Sequence, residues 1–148
     1  MKMKTVYEML VDFKRKYSST ICWRLKRHAN VIEKHLNPGE EVNYAFAGQI
    51  TQSRYAIFNT YAIVLTNKRI LLAQKRLLFG YSFLAITPDM FNDLTVNTGI
   101  IWGQVNIDTI KETVVVSFIS KDSVDEIETM ITEYMMAEKK KYIVKNEN

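Results

Sequence analysis

The sequence predicts an α+β fold in which two helices are followed by seven antiparallel strands and one closing helix. Three observations carry this expectation. Apolar spacing is helical up to residue 36, becomes alternating after Pro38-Gly39, and turns helical again beyond Ser123. A chain of 148 residues with 47 % apolar content is the size of one domain, able to bury about 68–70 % of the surface its unfolded form exposes. The single Cys22 excludes an internal disulfide framework, and the expectation is a reducing, cytoplasmic setting.

In the first segment Val6, Met9, Leu10, Phe13 and Tyr17 recur at helical spacing, predicting a helix over about 5–17. Ser18-Ser19-Thr20 then offers side-chain oxygens that can cap a new helix over about 20–36. Its apolar face is Ile21, Leu25, Ala29, Ile32 and Leu36. After Pro38-Gly39, Val42, Tyr44, Phe46 and Ile50 alternate with more polar residues, as in a strand with one buried face. Further strands are predicted near 59–66, 69–76, 78–86, 93–98, 100–108 and 113–119, with turns at Thr66-Asn67-Lys68, Asn97-Thr98-Gly99 and Lys111-Glu112. Gly80, inside an apolar run, suits a bulge, and Thr87-Pro88-Asp89 suits a helical turn with Pro at its first position. Ser123 and Glu126 fit a capping box for the last helix, whose stripe is Val124, Ile127, Ile131, Tyr134 and Met135.

Net charge is +4, but unevenly spread: residues 1–36 hold nine basic and three acidic side chains (+6), residues 37–148 eleven and thirteen (−2). Glu8 and Asp12 interrupt the first apolar run, so a signal peptide is not expected, and no run approaches the roughly 20 apolar residues of a membrane-spanning helix.

Three motifs in order give this pattern a family likeness. "LNPGEEV" (Leu36–Val42), "YAIVLTNKRILLA" (Tyr61–Ala73) and "LTVNTGIIWGQVNI" (Leu94–Ile107) resemble the opening, the second and third strands, and the fifth and sixth strands of a bacterial pleckstrin-homology-like (PH-like) domain. The resemblance implies a seven-stranded antiparallel, partly open barrel capped by the C-terminal helix, over about residues 36–137. The organisation is then an N-terminal helical extension (1–36), a PH-like domain (37–137) and a flexible lysine-rich tail (138–148). Phosphoinositide-binding members place several cations in and beside the first hairpin. Here the matching stretch, Gln49 to Phe58, holds only Arg54, so specific phosphoinositide binding is not expected.

No constellation for catalysis stands out. His28 and His35 are seven residues apart, roughly 10 Å along a helix, too far to share one metal. His28 borders the apolar face and reads as a packing residue. Cys22 has no CxxC partner and reads as a small buried hydrophobe. The carboxylate pairs Glu40-Glu41, Asp89 with Asp93, and Asp108 with Glu112 have no accompanying base or glycine-rich loop. No enzymatic activity, metal or cofactor is expected.

The informative feature is the second helix. Arg27 and Lys34 lie nearly opposite its apolar face, Trp23 sits beside them, and Arg24 and Lys26 flank more widely. An exposed Trp among cations anchors at a membrane interface or fills a partner's pocket; equally, Trp23 packs on the first helix and the cations form a solvated rim. A second cluster, Lys68-Arg69 with Lys75-Arg76, brackets the third strand. It serves either to face an anionic surface or to guard an edge strand against aggregation. Strand aromatics follow core alternation, so nucleic acid is not expected as a partner. The expected function is a non-enzymatic interaction module acting through self-association or a protein partner. The alternative is peripheral attachment to an anionic membrane surface through the basic N-terminal helices.

Overall fold

The computed structural model describes residues 3–50 and 59–147, with side chains as far as residue 141. Helices α1 (Val6–Lys16) and α2 (Leu25–His35) precede strands β1 (Val42–Ile50), β2 (Thr60–Thr66), β3 (Ile70–Lys75), β4 (Tyr81–Ile86), β5 (Phe91–Thr98), β6 (Trp102–Thr109) and β7 (Thr113–Ser120). Helix α3 (Val124–Glu147) follows and continues through most of the segment read from sequence as a tail. The strands form one antiparallel sheet in the order β4-β3-β2-β1-β7-β6-β5. It curls into a half-barrel, closed by β1 pairing with β7 on its other edge, where Gln49 meets Ser117 and Ile50 meets Val116 among the described residues. Gly48 permits that crossing, since a Cβ there would lie 2.6 Å from Val116 Cγ1.

Two apolar layers hold the fold. Inside the half-barrel, Phe46, Ile63, Leu65, Ile70, Leu72, Val105, Ile107 and Val116 meet Val124, Ile127, Ile131 and Met135 of α3, all essentially inaccessible. On the opposite face of β1–β3, Ala45, Ala47, Ala62, Val64, Leu71 and Ala73 meet Val6 and Leu10 of α1 and Ala29, Val31 and Ile32 of α2. The sequence expectation of a single buried face for β1 is therefore corrected. The helical extension lies flat on the outer face, and alanines at alternating positions let it approach closely.

Three local expectations also change. Ser18-Ser19-Thr20 does not cap α2, which starts at Leu25 after Arg24. The connection instead bonds to β7: the Ile21 N–H donates to Phe118 O (2.9 Å), and Thr20 Oγ1 accepts from the Ser120 N–H (2.9 Å). Gln49, fully buried, donates through Nε2 to Ile21 O (2.8 Å). Those bonds satisfy backbone groups that a longer helix would have used internally. Gly80 is not a bulge but the turn residue of the β3–β4 hairpin (φ 71°), its carbonyl accepting from the Arg76 N–H. Ser123 does not cap α3; its hydroxyl donates to Ser120 O (2.7 Å) within a 3₁₀ turn, while Glu126 turns to Tyr44 and Lys16.

Candidate functional site

Strand β3 carries a Lys-Arg pair at each end, about 20 Å apart by strand rise, and α2 is fastened to both ends. At the first, the Glu40 side chain is fully buried and holds Arg69 in a two-pronged ion pair, Nε to Oε2 at 2.9 Å and Nη2 to Oε1 at 3.0 Å. Arg69 Nη2 also donates to His35 O (2.9 Å), tying down the last turn of α2. Burial raises the Glu40 pKa, but hydrogen bonds from Arg69, the Asn37 N–H and Thr66 outweigh it and bring the carboxyl down to about 2. At the second end, both backbone groups of Lys75 are bonded from α2: its N–H donates to His28 Nδ1 (2.9 Å), and its carbonyl accepts from Arg24 Nη1 (2.9 Å). Burial, helped by the nearby Arg24 charge, lowers His28 to about 4, so the ring stays neutral and able to accept. Arg24 holds a left-handed backbone (φ 55°), which costs a non-glycine residue about 1 kcal/mol; its side-chain bond to Lys75 fixes the start of α2 at the strand end.

This second fastening shapes a groove of about 430 Å³ walled by Trp23, Arg24 and His28 on one side and Gln74, Lys75, Arg76 and Leu77 on the other. Lys75 also borders a shallower hollow of about 180 Å³ that brings in Arg27, Lys34, His35 and Tyr81. Trp23 is 56 % exposed, and its backbone N–H donates to Thr60 Oγ1 (3.1 Å). The turn beyond Arg76 presents Leu77, Leu78 and Phe79, which are 79, 81 and 84 % exposed. No Asp or Glu occurs between Glu41 and Asp89 in the sequence. The one carboxylate of α2, Glu33, accepts from the Val6 N–H on the α1 side.

The arrangement sorts the residues singled out from sequence. Trp23, Arg24, Lys75 and Arg76 come together, with Arg27 and Lys34 alongside. Lys26 is exposed on α2. Lys68 lies in the β2–β3 turn at the far end, and Arg69 is withdrawn from any surface role by Glu40. The cations of α1 and Lys4 before it are paired: Lys4 with Asp12 (2.6 Å), Arg15 with Asp12 (3.6 Å), Lys16 with Glu126 of α3 (2.7 Å), and Lys14 with the carbonyls of Ser18 and Thr20. The +6 segment is thus not one uniform cationic surface. The tip Leu77-Leu78-Phe79 was missed because Leu78 and Phe79 read as the start of a strand over 78–86, leaving Leu77 as the sole link; Gly80 was the signal of a turn.

Among the described residues, no three His, Cys, Asp or Glu side chains gather as a metal site. Burial raises the Cys22 thiol pKa, and His35 stacks on Phe83 with ring centroids 4.1 Å apart. A hollow of about 350 Å³ at the barrel mouth is walled mainly by Ile50, Tyr61, Leu72, Phe83, Leu84 and Val114, with Glu112 and no cation among the described residues. The first-hairpin stretch at 51–58, with Arg54, lies outside the described residues.

A half-barrel of seven strands plugged by a C-terminal helix, with the three motifs on β1–β3 and β5–β6, matches a family model described as a bacterial PH domain over residues 36–133. The chain belongs to that family. It is similar in fold to a crystal structure of a pleckstrin homology domain from Shewanella amazonensis SB2B, with TM-score 0.51 and 19 % identity over 76 % of this chain and 89 % of that one. A DUF1696-family protein with a pleckstrin-homology domain from Shewanella loihica PV-4 gives TM-score 0.50 and 18 % identity, over 76 % and 98 %. No curated protein gives a significant match. The family match begins after α2, so the basic face is composite. The PH domain supplies Lys75, Arg76 and the hairpin tip; the helical extension supplies Trp23, Arg24, Arg27 and Lys34.

Proposed function

We propose that this PH-like domain is a non-enzymatic interaction module that attaches peripherally to anionic membrane surfaces through the composite face of α2 and the β3 end. The observation that supports it is that Arg24, Lys75 and Arg76 wall one groove and Arg27 and Lys34 an adjoining hollow that shares Lys75, with Trp23 exposed at the groove and no carboxylate among the described residues of either wall. A cation near an anionic leaflet contributes about 1 kcal/mol, so five such cations give about 5 kcal/mol, a reversible, sub-millimolar to millimolar attachment. An interfacial Trp adds to it. Because the field decays over about 8–10 Å at ordinary ionic strength, the electrostatic part must weaken with salt. The test is co-sedimentation with phosphatidylcholine vesicles, with and without phosphatidylserine, at low and high salt. Binding only to the anionic vesicles, reduced by salt, supports the reading; no binding at low salt removes it. The same face would also suit an acidic protein, and retention by an acidic partner with indifference to vesicles would favour the protein-partner reading.

A further inference from the structure

We infer that the β3–β4 hairpin is an insertion element whose tip, Leu77-Leu78-Phe79, enters the acyl region of an anionic bilayer while Lys75, Arg76 and the α2 cations rest on the headgroups. The inference rests on the membrane reading above and adds depth and a contact residue set to it. Three consecutive large apolar side chains at about four-fifths exposure are unusual in a soluble fold, where such runs mark a binding element or an aggregation hazard. This run sits at the apex of a hairpin, so it projects rather than lies flat. The turn is closed by the Arg76 N–H to Gly80 O bond (3.0 Å), which lowers the polar cost of burying the apex. The hairpin root is held rigidly, since both backbone groups of Lys75 are bonded from α2. Charge complementarity chooses the occupant. Cations border the tip through Lys75 and Arg76, Trp23 shares a groove with Leu77, and no acidic residue lies on β1–β4. An apolar point bordered on its β3 side by cations, with Trp beside it, matches the layering of an anionic leaflet, with hydrocarbon below and phosphates above.

The test uses the full chain with Cys22→Ala and Leu78→Cys, the new thiol carrying an environment-sensitive dye, and phosphatidylcholine/phosphatidylserine vesicles with or without brominated acyl chains. The inference expects a blue shift on binding and quenching by the brominated chains. In parallel, the triple variant Leu77→Ser/Leu78→Ser/Phe79→Ser should keep its melting temperature and lose roughly tenfold or more in vesicle affinity, because the removed apolar area exceeds one 1.4 kcal/mol step. Salt-sensitive binding with an unquenched dye and an unaffected triple variant would overturn insertion while leaving electrostatic attachment standing. No vesicle binding by the unaltered chain would remove both. Concentration-dependent dimerisation abolished by the triple variant, without lipid uptake, would overturn the inference in favour of a second copy as the occupant.

Discussion

Asn67-Lys68-Arg69 and Gln74-Lys75-Arg76 are near copies at the two ends of one strand, yet they have opposite fates. Arg69 is 17 % exposed and locked to a Glu40 side chain that is fully buried, so its charge is consumed in holding α2. Arg76 is exposed beside an exposed apolar turn, and only Ser82 Oγ accepts from its Nε (3.2 Å). The difference lies in what each end meets. Glu40 comes from the turn before β1, whereas the residues opposite Lys75 are themselves cationic and aromatic. A basic dipeptide therefore has no role until its neighbours in space are known. One end of β3 withdraws its arginine into a buried ion pair, and the other leaves its arginine exposed.

The largest expected effect breaks the closed end. Arg69→Ala leaves Glu40 buried and unpaired and should cost about 3–5 kcal/mol in denaturant unfolding, whereas Lys68→Ala should stay within about 0.5 kcal/mol. A loss below 1 kcal/mol for Arg69→Ala would mean that the clamp does not hold α2. Next comes pH. His28 falls from 6.5 to about 4 on folding, so its stabilisation is full above pH 6.5 and is lost as pH drops toward 4. Glu40 falls from 4.5 to about 2, so its contribution is full above pH 4.5 and is lost as pH drops toward 2. Each shift corresponds to about 3 kcal/mol by linkage. Unfolding curves should show two successive losses, and His28→Asn should flatten the one between pH 6.5 and 4; an unchanged slope there would refute the His28 assignment. Gly48→Ala, which forces a methyl against Val116, should cost about 1–3 kcal/mol by loosening the β1–β7 crossing, read as a lower melting temperature. The smallest effect on stability belongs to the open end. Arg76→Ala should change unfolding by less than about 0.5 kcal/mol while weakening binding to anionic vesicles about fivefold.

Much of this fold is legible in period and punctuation. The stripes of α1 and α3, the positions of all seven strands and the Pro88 turn follow from alternation and turn residues. The start of α2 was not legible, because Ser18-Ser19-Thr20 looks like a cap and only β7, a hundred residues away, shows why it is not. The second buried face of β1–β3 was hidden for a related reason. Ala45, Ala47, Ala62 and Ala73 are too small to announce a core, and their burial depends on helices from another part of the chain. Within the candidate site, Trp23, Arg24 and the cations were visible as types, but their grouping was not. Arg69 needed Glu40 to be excluded, and Lys75 needed His28 and Arg24 to be placed beside Trp23. Leu78 and Phe79 were read as strand, with Leu77 the link before them, because apolar runs carry no mark of exposure.

The division of labour along β3 is tested most directly by vesicle affinity in two charge-reversed chains, Lys75→Glu/Arg76→Glu and Lys68→Glu, measured against the unaltered protein with phosphatidylcholine/phosphatidylserine vesicles at low salt. Lys75→Glu/Arg76→Glu should lose at least roughly tenfold in affinity, as reversing two cations at about 1 kcal/mol each requires. Its melting temperature should stay unchanged, and Lys68→Glu should bind like the unaltered chain. Equal losses in both chains, or none in either, would contradict that division.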